Sequence, residues 1–592
     1  MRALQLGAVS LLASTCYGSP LQQVGGDLVE RQSPGPGSYF AITGATGGVH
    51  PRLEVRDLEK TGQMWNLFLL AIKGFQEMDQ KDIVSWYQIA GKKPWDGVTG
   101  TTEGRSESQR GYCPHFNLLF GTWHRPYLAL FEQQLQTVAK QIADQFPTDT
   151  RSAYQDAANK LRVPYWDWAK AVPDSEPVVP TALSNDKVQV TFPNGTTSEI
   201  VNPLFEYRFH PLDNTEINAD GCSTVFTRDG PRGGDPEVCA TSPMTIRRGK
   251  PTSDHVSLNK DLRRILPGQR TSLYTMLSNW QHFNTFSNDG TCSQVGPVLG
   301  SLETLHNPIH TNNWPGHMSP PAVSAFDPMF WLHHANVDRQ MALHQALYPD
   351  TYIEPCEAAT PTYTINVGDI LDKDSPLTPF HKNAQGDFWT SANSRNIRDM
   401  GYTYPELASN PSNATLIASI KSQYQDVVTL KTTKSKRADA PVPTNGTLYL
   451  AQITFPVFGF PDGKGSSQPY NILTFLGEVP EDPKKWLEAD SFVAITSTIG
   501  GRKMQGDQKA TFMVDLEAAL AKKGKSAEDE GVVEFLKGNL KWRLGLGEFE
   551  FTREDIKGVE VKLVSTVVEY SNREDVFDRH VGGYTEYGLV DV

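Results

Sequence analysis

Residues 301–313, SLETLHNPIHTNN, hold two histidines four apart, His306 and His310. At helical spacing both rings project from one face. Pro308 between them suits the first turn of a helix, which predicts a helix starting close by. Glu303, three residues before His306, falls on the same side. A His pair at i,i+4 joined by a third from another helix is how helical bundles hold a metal. A second group lies in residues 325–339, AFDPMFWLHHANVDR, where His333 and His334 end an aromatic run. A helix is predicted to open there after Pro328. Adjacent helical residues point about 100° apart, so only one of that pair can share a given target.

Residues 113–131, CPHFNLLFGTWHRPYLALF, carry His115 and His124. Nine steps of about 100° put them on opposite sides of any single helix. Pro114 disfavours helix just before it, so His115 is expected on a loop. His124 heads a stripe with Leu128, Phe131 and Leu135 that faces a core. Imidazole-only sites suit copper, zinc, iron or nickel. A zinc hydrolase brings a carboxylate ligand or an H-E-x-x-H helix, and the sequence has neither signature. Two histidine groups on helices favour two coppers facing each other.

The chain has 592 residues, enough for two or three domains. With 38% hydrophobic and 21% charged residues it is globular rather than disordered. A net charge of −13 argues against nucleic acid as a partner. MRALQLGAVSLLASTCYGSP reads as a secretory signal over 1–18, too short to span a membrane, and no later stretch is long and apolar enough to do so. The secretory pathway is therefore expected, with acceptor sequons at Asn194, Asn413 and Asn445. Residues 19–38 read as a flexible lead or propeptide. Helical spacing at 55–90, 116–145, 259–281, 301–311 and 326–347 predicts a mainly helical unit with long loops over 39–408. Residues 409–444 read as an exposed linker, whose Lys436-Arg437 pair is either a processing site or a solvated turn. Alternating, β-branched runs such as TLYLAQITF and YNILTFL make 445–592 a β-rich domain, with a helical piece near 513–522. Once the signal is removed, Cys113, Cys222, Cys239, Cys292 and Cys356 remain. Cys222 could pair with Cys239, and Cys292 with Cys356, leaving Cys113 odd.

Together GYCPH, FGTWHRPYLALFEQ, PYWDW, SLETLHNPIH, GHMS and SAFDPMFWLHHANVDR resemble the long fungal tyrosinases. These belong to the type-3 copper family with the catechol oxidases and haemocyanins. The likeness runs from roughly residue 39 to 404, and GYTYPE resembles the Tyr-x-Tyr segment that closes that core. The β-rich remainder is similar to the shielding domain of fungal proenzymes. The resemblance implies two copper ions and dioxygen acting on a small phenol. Monophenols would be hydroxylated at the ortho position and o-diphenols oxidised to o-quinones, for pigment or secondary-metabolite formation. By the same resemblance His115 and His124 are the second and third ligands of copper A, and His306, His310 and His334 the ligands of copper B. His333 would stand beside the ligands and orient its surroundings. Cys113 would be joined through sulfur to a carbon of His115. Glu303 and Asn307 would hold a water that takes the phenol proton. Met318, Pro321 and Ser324 would shape substrate access over copper B. FPVFGF (455–460) is either an aromatic plug in the copper pocket or an ordinary strand.

The family's first copper-A histidine follows a Gln-Ile-(Gly/Ala)-Gly segment. This chain reads SWYQIAGKKPWDGV, and no histidine lies between His50 and His115. Three readings stay open: codons lost at an exon edge, completion by another group such as His50 or water, or a truly impaired copper A. The rival functions are an oxidase of o-diphenols or o-aminophenols without hydroxylase activity, a copper-poor binding protein, and a zinc hydrolase.

Overall fold

In the computed structural model, residues 39–91, 111–212, 241–249, 251–290, 298–425, 445–458, 460–461, 466–502 and 508–590 are described. Five helices frame the first part: α1 (Gln63–Gln76), α2 (Phe120–Ala143), α3 (His255–Ser278), α4 (Leu302–Thr311) and α5 (Pro328–Leu347). The buried run Leu67–Ile72 with Phe75 turns α1 onto α2. At their crossing Phe131 stacks on Trp331 of α5 with centroids 3.9 Å apart. Phe75 and Trp86 close on the same Phe131 ring at 5.2 and 5.1 Å. These aromatic rings bury the largest apolar areas available and fix how α1, α2 and α5 meet.

The ends of α4 and α5 are set by their caps. The Ser301 side chain accepts from Thr304 N, and Asp327 accepts from Met329 N with Pro328 in the first turn. Pro308 sits well inside α4, not in its first turn as its chemistry predicts. The helix survives because all ten of its residues are buried, so packing outweighs the one backbone bond that proline forfeits.

A buried ion network then pins α5. Asp338 accepts from Arg125 Nε of α2 at 2.6 Å and from Arg52 Nη1 at 3.3 Å. The hydroxyls of Tyr402 and Tyr404, from the Tyr-x-Tyr segment, donate to it at 2.7 and 2.6 Å. Arg52 is also paired with Glu132 at 2.9 Å. At the helix start Arg247 pairs with Asp327 at 2.7 Å.

The stretch expected as an open linker contains a helix, α6 (Asn413–Tyr424). Leu416, Ile420 and Tyr424 lie buried on one face, and Arg339 Nη1 donates to the Tyr424 hydroxyl at 2.7 Å. Lys436-Arg437, the signal and the lead lie outside the described residues.

The C-terminal part holds two four-stranded antiparallel sheets and a small three-stranded one made by Phe460–Pro461, Ser466–Gln468 and Gly501–Arg502; the two larger sheets carry its core strands. Their strands are β1 (Asn445–Pro456), β2 (Asn471–Leu476), β3 (Phe492–Ser497), β4 (Lys509–Asp515), β5 (Leu540–Leu546), β6 (Phe549–Phe551), β7 (Glu560–Glu569) and β8 (Arg579–Leu589). One sheet runs β4-β1-β7-β8 and the other β3-β2-β5-β6. β1 pairs with β7 from Asn445↔Glu569 to Thr454↔Glu560. The helical piece is shorter than expected, Glu517–Lys522, because 513–515 finish β4. The mainly helical unit followed by β-rich sheets is the architecture expected. No described helix is long and apolar enough to cross a membrane.

Candidate metal centre

His306 and His310 lie on α4 and His333 and His334 on α5, where these helices meet. Each of the four offers a ring nitrogen, all within 4.8 Å of one another and all buried. His124, on α2, stacks on His334 with centroids 4.3 Å apart. His115, on the loop before α2, lies 6.1 Å from His306 and 6.4 Å from His124. All fourteen histidines of the chain are described, and these six gather at one place.

For His124, His306 and His310, backbone acceptors set which nitrogen the ring presents. His310 Nδ1 donates to Met318 O at 2.6 Å, and His124 Nδ1 to Phe120 O at 2.7 Å. His306 Nδ1 meets Asn307 Oδ1 at 3.0 Å and Glu303 O at 3.2 Å. With Nδ1 carrying the proton, Nε2 presents a lone pair. Nε2 of His306 and of His310 is buried with no hydrogen-bond partner. Burial lowers the pKa of all six rings, to about 4 for His124 and His310, and neighbouring imidazoles depress His115, His306, His333 and His334 further. The rings are therefore neutral near pH 7, the state that ligates a metal.

Two hydrogen bonds hold the His115 loop, and a third fixes the carboxylate that makes one of them. Thr360 Oγ1 donates to its carbonyl at 2.6 Å. Glu303 Oε1 accepts from Phe116 N at 2.8 Å, and Oε2 from Asp289 N at 3.0 Å. Phe116 takes φ +51°, a left-handed conformation unusual for a bulky residue. A Cβ at Gly290 would stand 2.7 Å from Phe116 O, so that position admits only glycine beside the loop. Cys113 Sγ is 3.8 Å from His115 Nδ1 and closer, 3.4 Å, to His124 Nε2. Cys113 is free of disulfide, and burial raises its pKa strongly.

Met318 lends its carbonyl to His310, and Ser324 Oγ donates to Pro321 O at 3.2 Å, closing the loop that carries all three residues. Asn307 Nδ2 donates across to Ser497 O of β3 at 2.9 Å. Phe458 of the FPVFGF segment sets its ring edge against Phe116 at 5.7 Å.

His333, expected beside the ligands, stands among them with a ring nitrogen within 4.8 Å of theirs. His50 is held elsewhere: it pairs with Tyr402, and its Nε2 meets Gly47 O at 3.1 Å. Residues 92–110, with Lys92 and Lys93, lie outside the described residues, as do Cys222, Cys239 and Cys292; Cys356 is disulfide-bonded. Sequence reasoning missed the Asp338 network, although Asp338 follows His334 by four and so shares its helix face.

The donor set of buried neutral imidazoles fits copper. Residues 83–347 match the common central domain of tyrosinase, and residues 462–563 the tyrosinase C-terminal domain. A tyrosinase of Podospora anserina is 37% identical over 61% of this chain, which spans 63% of that relative. One from Neurospora crassa is 29% identical over 93% of this chain and 97% of its own length. The fold is shared with latent and active mushroom tyrosinase, at a TM-score of 0.77 and 23% identity over 93% of this chain and 99% of that one. It is shared too with a holo-protyrosinase of Aspergillus oryzae, at 0.68 and 19% over 94% and 98%. The tyrosinase family has a type-3 dicopper centre, and the buried four-histidine group is compatible with copper.

Proposed function

The chain belongs to the tyrosinase family, and on that premise we propose that it is a copper-dependent phenol oxidase of the secretory pathway. It hydroxylates monophenols at the ortho position and oxidises o-diphenols to o-quinones. One dioxygen turns one monophenol into an o-quinone and water, or two o-diphenols into two o-quinones and two waters. The observation that carries this reading is the convergence of neutral, buried imidazoles from α2, α4, α5 and the His115 loop, with Nε2 of His306 and His310 unpartnered. Two copper ions bound there would supply the electron exchange with dioxygen.

The chain's own groups position the rest. His115 and His124 serve one copper, His306, His310 and His334 the other. The loop with Met318, Pro321 and Ser324 fixes His310 and shapes the approach of the ring. A phenol has a pKa near ~10, so a proton acceptor is needed at neutral pH. A water between Glu303 and Asn307 takes that proton. The closeness of Cys113 Sγ to His115 supports a thioether between them.

The β-rich part keeps the enzyme latent. Phe458 plugs the approach beside Phe116, and Ser497 engages the Asn307 amide. Cleavage at Lys436-Arg437 would release both. The sequons at Asn194, Asn413 and Asn445 are all exposed, which supports glycosylation on the way out of the cell. Oxygen uptake tests the proposal, measured with a monophenol and with an o-diphenol, before and after limited proteolysis in 426–444. The full chain should be slow and the trimmed chain fast with both phenols. Uptake with the o-diphenol alone assigns the o-diphenol oxidase instead, and none with either refutes the proposal.

A further inference from the structure

Asp289 carries a buried carboxyl, 3% exposed, with no described cation beside it. It meets hydroxyls instead. Ser301 Oγ donates to Oδ1, and Thr304 Oγ1 lies 2.7 Å from Oδ1 and 2.9 Å from Oδ2. Ser301 caps α4 and Thr304 lies in its first turn. Burial raises the Asp289 carboxyl and the two hydroxyls pull it back, to about 6, so it is ionised at neutral pH. An ionised carboxylate only accepts. Both hydroxyls can therefore donate to it while Ser301 Oγ still takes Thr304 N at 2.9 Å.

The main chain of the same residue reaches Glu303, which is fully buried. Backbone N–H groups from two separate loops hold its oxygens, Phe116 on Oε1 and Asp289 on Oε2. Asn288 folds residues 287–290 back on Asn284: its Nδ2 donates to Asn284 O at 3.1 Å, and its Oδ1 accepts from Gly290 N at 2.9 Å. The described hydrogen bonds from 287–290 to α4 and its cap all come from Asp289. Its side chain grips the start of α4, and its amide grips Glu303 on the same turn. This closed ring of bonds fixes the Glu303 carboxyl against its own helix. A proton acceptor works only within hydrogen-bond reach of the group it serves, and misplacing it by about 1 Å costs about a hundredfold in rate.

Resting on the phenol-oxidase reading, we propose that Asp289 is a positioning residue for removal of the phenol proton. Its carboxylate anchors residues 287–290 on α4, and the N–H so placed holds Glu303 toward the water that takes the proton. Asn in its place keeps an oxygen for Ser301 and turns an amide N–H₂ to the Thr304 hydroxyl, which can accept it. Ala keeps neither contact.

The test pairs hydrogen–deuterium exchange of the apo full-length protein with turnover of the copper-loaded protein. In Asp289→Ala the backbone amides at 116 and 289 should exchange about tenfold faster than in wild type. Its kcat with a monophenol should fall about tenfold more than with an o-diphenol, which loses its first proton more readily, while KM stays the same. Asp289→Asn should keep both readouts within about twofold of wild type. Thr304→Val removes one of the two hydroxyl donors and little volume, so it should move both readouts the same way by a smaller step. Unchanged exchange at 116 in Asp289→Ala and Thr304→Val overturns the proposal. So does a loss that falls equally on the two phenols, which marks a structural role. Asp289→Asn as poor as Asp289→Ala assigns the effect to charge and overturns the anchoring. No turnover of either phenol by wild type overturns the phenol-oxidase reading and the proton role with it, while exchange alone still reports whether Asp289 anchors Glu303.

Discussion

Replacing Asp338 by Asn tests whether the buried ion network holds the histidine helices in place. The carboxylate takes Arg125 on Oδ1, and Arg52 with both tyrosine hydroxyls on Oδ2. Arg52 keeps Glu132 in the variant. Arg125 keeps only neutral partners: the Gln345 side chain and the Ser394 and Arg395 carbonyls. One buried guanidinium is thus left without a counter-charge, which costs roughly 3–5 kcal/mol. Since ~1.4 kcal/mol is tenfold, the unfolding constant rises by roughly two to four powers of ten. At ~2–4 °C per kcal/mol, melting of the apo protein should fall by about 6–20 °C. Burial alone would raise the Asp338 carboxyl, but Arg125, Arg52 and the tyrosine hydroxyls outweigh it and hold the group below the ordinary range. A depressed carboxyl gives its full stabilisation above the unfolded value of ~3.9 and loses it as pH falls through the folded value. The gap between wild type and variant should therefore stay flat from pH ~7 to ~5 and close only below ~4. Thermal unfolding across that range is the assay. A variant within ~1 kcal/mol of wild type at pH 7 would show that the network does not carry this load.

Three further outcomes follow from particular contacts. Phe458→Ala should raise o-diphenol turnover of the full chain several-fold and leave the trimmed chain unchanged, because the plug is absent there; equal turnover of both full chains in an oxygen-uptake assay would dismiss the plug. Glu303→Gln sets an amide N–H₂ against one of the two backbone donors it now satisfies, which should cost ~1–3 kcal/mol and loosen His115; chelator titration should show one copper released first. Glu517, raised to about 7 by burial and then by Asp515 and Asp578, favours its neutral form in the fold. Its stabilisation is full below its unfolded pKa and lost as pH rises through about 7, so Glu517→Gln should melt higher than wild type at pH ~8 and no higher at pH ~4; equal melting at both would contradict this.

The histidines were legible because imidazoles at helical spacing within apolar runs have few other uses. His306, His310 and His124 could be placed on helices from periodicity, and His115 on a loop from Pro114. Three features were not legible. Pro308 argued for a helix start, but a cap at Ser301 and complete burial decided otherwise. The Asn413–Tyr424 helix was overlooked beside a basic, proline-rich neighbour, although Leu416, Ile420 and Tyr424 keep a four-residue spacing. The clasp from Ser497 to Asn307 joins residues 190 apart, beyond any local signal.

Elemental analysis of the untreated full-length protein tests the central claim most directly. The account predicts about two copper atoms per chain. A chain that carries zinc in their place, or takes up no metal when copper is offered, would contradict it.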